Sequence, residues 1–217
     1  MYLLRVELKT DRRETMLMLS QPQLMHGAIE RSFSGERKRR LWRIDWLENR
    51  CYVLILSDET PDFTTLLKQY GDVAQHPVWD TRDLTPLLSG LMDGQTWQFR
   101  LKANPVHSVL PEGSQSGRGK VLAHVTPAQQ KQWLLDRAPS LGFALSEEGF
   151  DIVHSQWYGF DKGGGHRVTL RTASFEGILR ITDTQRFQQT ILGGVGRAKA
   201  YGCGLLTVTR WRGDAHG

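Results

Sequence analysis

The chain has 217 residues, enough for one large or two small domains that each bury a core, and its 28 Lys and Arg outnumber 23 acids to give a formal charge of +5. That balance favours a polyanionic partner. Two isolated cysteines, Cys51 and Cys203, exclude a disulfide framework and suit a reducing compartment, while early charges break the first apolar run and no stretch is long enough to span a bilayer. The expectation is a soluble, cytoplasmic protein with no membrane partner.

Residues Tyr2 to Leu8 alternate as a half-buried strand, with Leu4, Val6 and Leu8 on one face. After a charged turn, Ser20-Gln21-Pro22-Gln23 has the form of a capping box, with Ser20 as N-cap and Gln23 reaching back, so a helix is predicted from Pro22 to Phe33. Leu41 to Leu47 and Cys51 to Ser57 read as a hairpin around Glu48-Asn49-Arg50. Phe63 to Tyr70 then reads as a helix and Thr96 to Ala103 as the strand that closes a β-α-β-β-α-β unit, the ferredoxin-like pattern.

The second half repeats this order more loosely. Glu112 to Lys120 is rich in Gly, Ser and basic residues and reads as an exposed linker or loop. Thr126-Pro127-Ala128 starts a helix through Arg137 with Trp133 and Leu134 on its apolar face; Phe150 to Phe160 and Arg167 to Thr182 form a long hairpin. The expected fold class is therefore α+β, two tandem ferredoxin-like (RRM-like) domains over residues 1–108 and 109–217. Trp42, Trp46 and Trp97 are expected to fill cores.

The last segment carries the strongest functional signal. Gly193, Gly194, Gly196, Gly202 and Gly204 interleave with Arg197 and Lys199 between a helix (Thr184 to Leu192) and a terminal strand (Gly204 to Thr209). Such a loop can turn several amide N–H groups toward an anion while its cations neutralise charge, although glycine-rich stretches also serve as tight turns and helix caps. A dinucleotide fold needs its glycines after a strand and before a helix, the reverse of this order, and no Gly-Lys-Ser/Thr completes a P-loop. A polymer backbone suits the loop better than a nucleotide cofactor.

Seven histidines are scattered, without an HxxxH pair, HExxH motif or carboxylate cluster, so no metal site of known spacing is expected. No GxSxG elbow suggests covalent catalysis. What remains is single-histidine acid–base chemistry. His26, in the first turns of a helix and followed by Arg31 and the cationic run Arg37 to Arg40, is the candidate. A surface histidine and a solvated turn are the alternative readings of the same residues.

Four blocks stand in a recognisable order: Met1-Tyr2-Leu3, Met25-His26, Phe99-Arg100-Leu101-Lys102-Ala103-Asn104-Pro105, and Phe175-Glu176-Gly177 followed by the glycine loop ending Gly202-Cys203-Gly204-Leu205-Leu206. Together they resemble the CasE family, RAMP-superfamily endoribonucleases of subtype I-E CRISPR systems that remain in the Cascade complex. The resemblance implies two ferredoxin-like domains and no cofactor or metal. It further implies that His26 promotes attack of a ribose 2′-OH on the adjacent phosphate at the base of a repeat stem-loop, leaving a 2′,3′-cyclic phosphate and a 5′-OH. The implied partners are CRISPR repeat stem-loop RNA, mature crRNA and other Cascade subunits.

Phosphate contacts are assigned to Arg31, Lys38, Arg39, Gly194, Gly196, Arg197 and Lys199, and the family's groove-entering hairpin corresponds to Tyr158 to Arg167, with Lys162 and Arg167. Family members often place a tyrosine three residues before the histidine, where this chain has Gln23, which cannot transfer a proton. Either His26 works with water and cations, or another group such as Tyr158 or Tyr201 enters the site, or turnover is slow. A non-catalytic RNA-binding scaffold and a small-anion or nucleotide-binding enzyme remain the alternatives.

Overall fold

In a computed structural model, residues 1–36, 38–71, 79–110, 119–161 and 167–211 are described. The first unit runs β1 (Tyr2–Leu8), α1 (Arg13–Ser20), α2 (Pro22–Arg31), β2 (Leu41–Leu47), β3 (Arg50–Ser57), α3 (Thr64–Tyr70) and β4 (Trp79–Asp83). Its antiparallel sheet has the order β2-β3-β1-β4. A short α4 (Thr85–Ser89) leads to β5 (Thr96–Ala103), a β6 (Val106–Val109) and β7 (Lys120–Ala123) hairpin, and α5 (Pro127–Arg137). Then follow β8 (Phe143–Ala144), β9 (Phe150–Asp161), β10 (Arg167–Ile181), α6 (Thr184–Gly193) and β11 (Leu206–Arg210). The second sheet orders β11-β5-β10, with β9 and β8 both pairing β10.

Each sheet is the antiparallel arrangement of a βαββαβ unit, in which the first strand lies between the third and fourth. The expected pair of ferredoxin-like modules is present, with two differences of assignment. Thr96–Ala103 does not close the first sheet; it is the first strand of the second module, between β10 and β11. The true closing strand, Trp79–Asp83, has one half-buried and four exposed residues, so it carries no hydrophobic alternation to read. Sheet membership thus changes between Asp83 and Thr96, not at the expected 108/109 division. Nor does the Gly/Ser-rich stretch join modules: Val106–Val109 and Lys120–Ala123 pair as strands on either side of it, and most of it, 112–118, lies outside the described residues.

The alternation in β1 buries Leu4, Val6 and Leu8 under Met18, Met25, Ala28 and Ile29 of the first two helices and Leu66 and Leu67 of α3. A second core gathers Phe99, Leu101, Phe143, Phe175 and Phe187 beneath Trp133 and Leu134 of α5. Thr126 and Gln129 cap α5 reciprocally. Between the modules, Leu41, Leu54, Leu56 and Leu84 pack with Leu205.

The start of the histidine helix differs from expectation. Ser20 is the last residue of α1, its hydroxyl donating to the Leu17 carbonyl at 2.7 Å, and it caps nothing. Pro22, lacking an N–H, begins α2 after the single residue Gln21, and α2 ends at Arg31 rather than Phe33. Trp42 and Trp97 are buried as expected, but Trp46 is 52% exposed.

Candidate nucleic-acid interface

Helix α2 turns Met25, Ala28 and Ile29 into the core and leaves His26 half-buried at its edge. Against this helix packs the 3-10 turn Lys199–Tyr201 of the glycine loop. The histidine helix of the first module and the glycine loop of the second are therefore neighbours, a juxtaposition their separation in sequence does not reveal.

The loop is held by its main chain. Val195 N–H donates to Gly204 O at 2.9 Å, Gly204 N–H to Lys102 O at 2.7 Å, and Lys199 Nζ to Gly193 O at 2.6 Å. Gly194 and Gly202 have φ of +73° and +76°, and a Cβ on either would stand 2.7 Å from Leu41 or Trp42. These two glycines serve the close approach of the second module to β2. Gly194, assigned to phosphate, thus faces protein on that side; Gly196 is exposed. The N–H groups of Gly196, Arg197 and Ala198 find no acceptor among the described residues, and Arg197 is exposed beside them. That stretch can receive an anion.

The other assigned cations divide. Burial, and to a lesser degree repulsion from Arg39, lower the pKa of Lys199. Arg31 is exposed at the C-terminal end of α2. Lys38, by contrast, is engaged by Glu59 at 2.7 Å and Asp58 at 3.2 Å, which raise its pKa and occupy its charge. Arg167 is exposed, opposite Asp161 in the β9–β10 register, and its guanidinium covers Gly159. Lys162 lies outside the described residues.

Gln23, expected to serve Ser20, instead donates from Nε2 to the carbonyl of Asp161 at 3.0 Å, while its Oε1 is buried without a partner among the described residues. Beneath this turn, Pro22 and Met25 line a small cavity with Lys102, Tyr158 and Tyr201. Lys102 donates to the Tyr158 hydroxyl at 3.1 Å, and Tyr201 meets Phe160 edge to face at 5.0 Å. Both tyrosines thus reach the underside of α2.

Sequence reading missed Arg43. Its buried guanidinium forks onto Asp45 with two 2.7 Å bonds and reaches Arg100 O, Leu205 O and Thr207 Oγ1, each at 2.8 Å. One side chain of β2 thereby ties itself to β5 and to the run into β11. Beside it opens a cleft of about 680 Å³ between the sheets, lined by Arg100, Lys102, Gln156 and Glu176. The one available signal was Arg-x-Asp on a strand, which puts both charges on one face. Elsewhere, burial pushes the thiols of Cys51 and Cys203 up to about 12 and about 11, so neither is a nucleophile at neutral pH. Among the described residues no group of three or more His, Cys, Asp and Glu is placed to hold a metal, and no helix is long and apolar enough to cross a membrane.

A family model for CRISPR associated proteins matches residues 1–210. The CRISPR-associated endoribonuclease Cse3 of Thermus thermophilus is 30% identical over 226 aligned residues, covering 96% of this chain and 99% of that protein. This chain belongs to the CRISPR associated protein family. Within the family it is also 31% identical to the Cascade subunit CasE of Escherichia coli, over 54% of this chain and 60% of that protein. A structure of Cse3 bound to a 19-nucleotide RNA superposes with a TM-score of 0.79 at 28% identity, covering 96% of this chain and 100% of that one. A Thermus thermophilus Cse3 bound to RNA as a pre-cleavage complex gives 0.78 at the same identity, with 96% and 98% covered.

Proposed function

We propose that the protein is a metal-independent endoribonuclease that cleaves CRISPR precursor RNA at the base of its repeat stem-loop and keeps the mature crRNA. The observation that carries this reading is the packing of the His26 helix against the Lys199–Tyr201 turn of the glycine loop. Likeness to Cse3 along nearly the whole chain supports it.

His26 has the chemistry for the step. An imidazole near neutral pKa accepts the 2′-OH proton or returns one to the leaving 5′ oxygen. The 2′ oxygen then attacks phosphorus, the P–O5′ bond breaks, and the products are a 2′,3′-cyclic phosphate and a 5′-OH. Arg39, Lys199 and the amides from Gly196 to Ala198 stabilise the charge that grows on the phosphoryl oxygens. Arg31, Arg197, Arg167 and Lys162 neutralise flanking phosphates and supply salt-dependent affinity, whereas Lys38 contributes only if RNA displaces Asp58 and Glu59. The protein works in the cytoplasm with other Cascade subunits.

The test is His26→Ala with the repeat stem-loop. It binds RNA with wild-type affinity and does not cut, and wild type does not cut the same RNA with a 2′-deoxy at the scissile nucleotide. Equal cutting of ribose and 2′-deoxy substrates would sink the mechanism. Gln23, which cannot transfer a proton, favours one second reading, an RNA-binding scaffold subunit. Intact stem-loop after prolonged incubation with tightly bound wild-type protein would establish that reading instead.

A further inference from the structure

We infer that Gln23 is a positioning residue that sets the turn end of the β9–β10 strand pair against the histidine helix, and so places Arg167 relative to His26. The inference rests on the RNA-processing reading above and deepens it. Gln23 and His26 are three residues apart in α2 and so share one helix face. The Gln23 amide does not cap its own helix; it crosses 138 positions of sequence to the carbonyl of Asp161, the last residue of β9. Asp161 pairs in register with Arg167, the first residue of β10. One hydrogen bond thus connects the face that carries His26 to the strand ends from which an exposed cation projects.

The contact has a defined polarity. Asp161 offers only its carbonyl, so residue 23 must be the donor, and the buried Oε1 finds no partner among the described residues. An isosteric side chain without a donor would set two acceptors against each other. Gln23→Glu does this while ionised, and regains a donor when its carboxyl is protonated; burial beside a carbonyl raises the pH at which that occurs.

Binding is measured with repeat stem-loop RNA carrying a 2′-deoxy at the scissile nucleotide, so that cleavage does not interfere, and each value is taken relative to wild type at the same pH. Gln23→Glu binds about tenfold more weakly at pH 8, and the deficit closes to about twofold at pH 5, as expected for one charge-opposed hydrogen bond. Gln23→Ala is weakened equally at both pH values. In an Arg167→Ala background neither substitution weakens binding further, a non-additivity that general destabilisation does not produce. Wild-type affinity of Gln23→Glu at pH 8, a deficit unchanged at pH 5, or additive losses with Arg167→Ala would overturn the inference. Failure of wild type itself to bind the stem-loop would instead overturn the RNA reading on which it rests.

Discussion

Replacing Arg43 by methionine tests how the two modules are held. The guanidinium makes five hydrogen bonds, two to Asp45 and three to Arg100 O, Leu205 O and Thr207 Oγ1. The side chains of Arg43 and Asp45 are 2% and 7% exposed, so solvent screens the pair little. Methionine fills the volume but leaves the Asp45 carboxylate buried with only Arg100 at 3.7 Å, and leaves two carbonyls short of a donor. Breaking a buried pair from one side costs about 3–5 kcal/mol. Against a total of roughly 5–15 kcal/mol, that is a large share. With a urea m-value of about 2–3 kcal/mol/M, the midpoint falls by roughly 1–2.5 M, read from tryptophan fluorescence. Arg43→Met/Asp45→Leu removes both charges and recovers most of the loss, because the unpaired carboxylate carries most of the cost. An Arg43→Met midpoint within about 0.3 M (under about 1 kcal/mol) of wild type would show that the Arg43–Asp45 pair does not hold the modules, as would a double variant no better than the single.

Other consequences can be measured separately. Gly202→Ala places a Cβ 2.7 Å from the Trp42 ring at a φ of +76°, and is expected to lower stability by about 2 kcal/mol in the same urea assay. Arg39→Ala and Arg197→Ala each weaken stem-loop binding and reduce the slope of log K against log salt by about one, whereas Lys38→Ala, already neutralised by Asp58 and Glu59, changes that slope by less than half as much. With thiol pKa values of about 12 and about 11, Cys51 and Cys203 are only about 0.01–0.1% thiolate at pH 8. A disulfide reagent therefore leaves the native protein unlabelled over minutes and titrates two thiols once it is unfolded.

What could be read from the chain follows from what pattern encodes. Tyr2–Leu8 announced itself because it buries one face, the Leu41–Ser57 hairpin because its apolar runs are buried on both, and α5 because Thr126 and Gln129 form a true capping box. Thr96–Ala103 also alternates clearly, but alternation says that a segment is a strand and not which sheet receives it. Trp79–Asp83 is an exposed edge with no apolar face to betray it. The eight residues of α1, with arginine and glutamate in the first turn, read as a charged turn, and this made Ser20 look like a helix start when it is a helix end. At the site, His26 and the glycine loop were legible as separate motifs. Their contact was not, nor was the use of Gly194 and Gly202 to seat Leu41 and Trp42, because both depend on residues more than 150 positions away. Gln23 shows the same limit: its local spacing suggested a cap, and its partner lies on β9.

How the RNA is cut is written in the chemistry of the new ends. Repeat stem-loop RNA is incubated with wild-type protein in excess EDTA and the fragments are analysed by mass spectrometry. A single cut at the base of the stem is expected, with a 2′,3′-cyclic phosphate on the upstream fragment and a 5′-OH on the downstream one, and neither formed by His26→Ala. A 5′-phosphate on the downstream fragment, or a reaction that EDTA abolishes, would contradict that expectation.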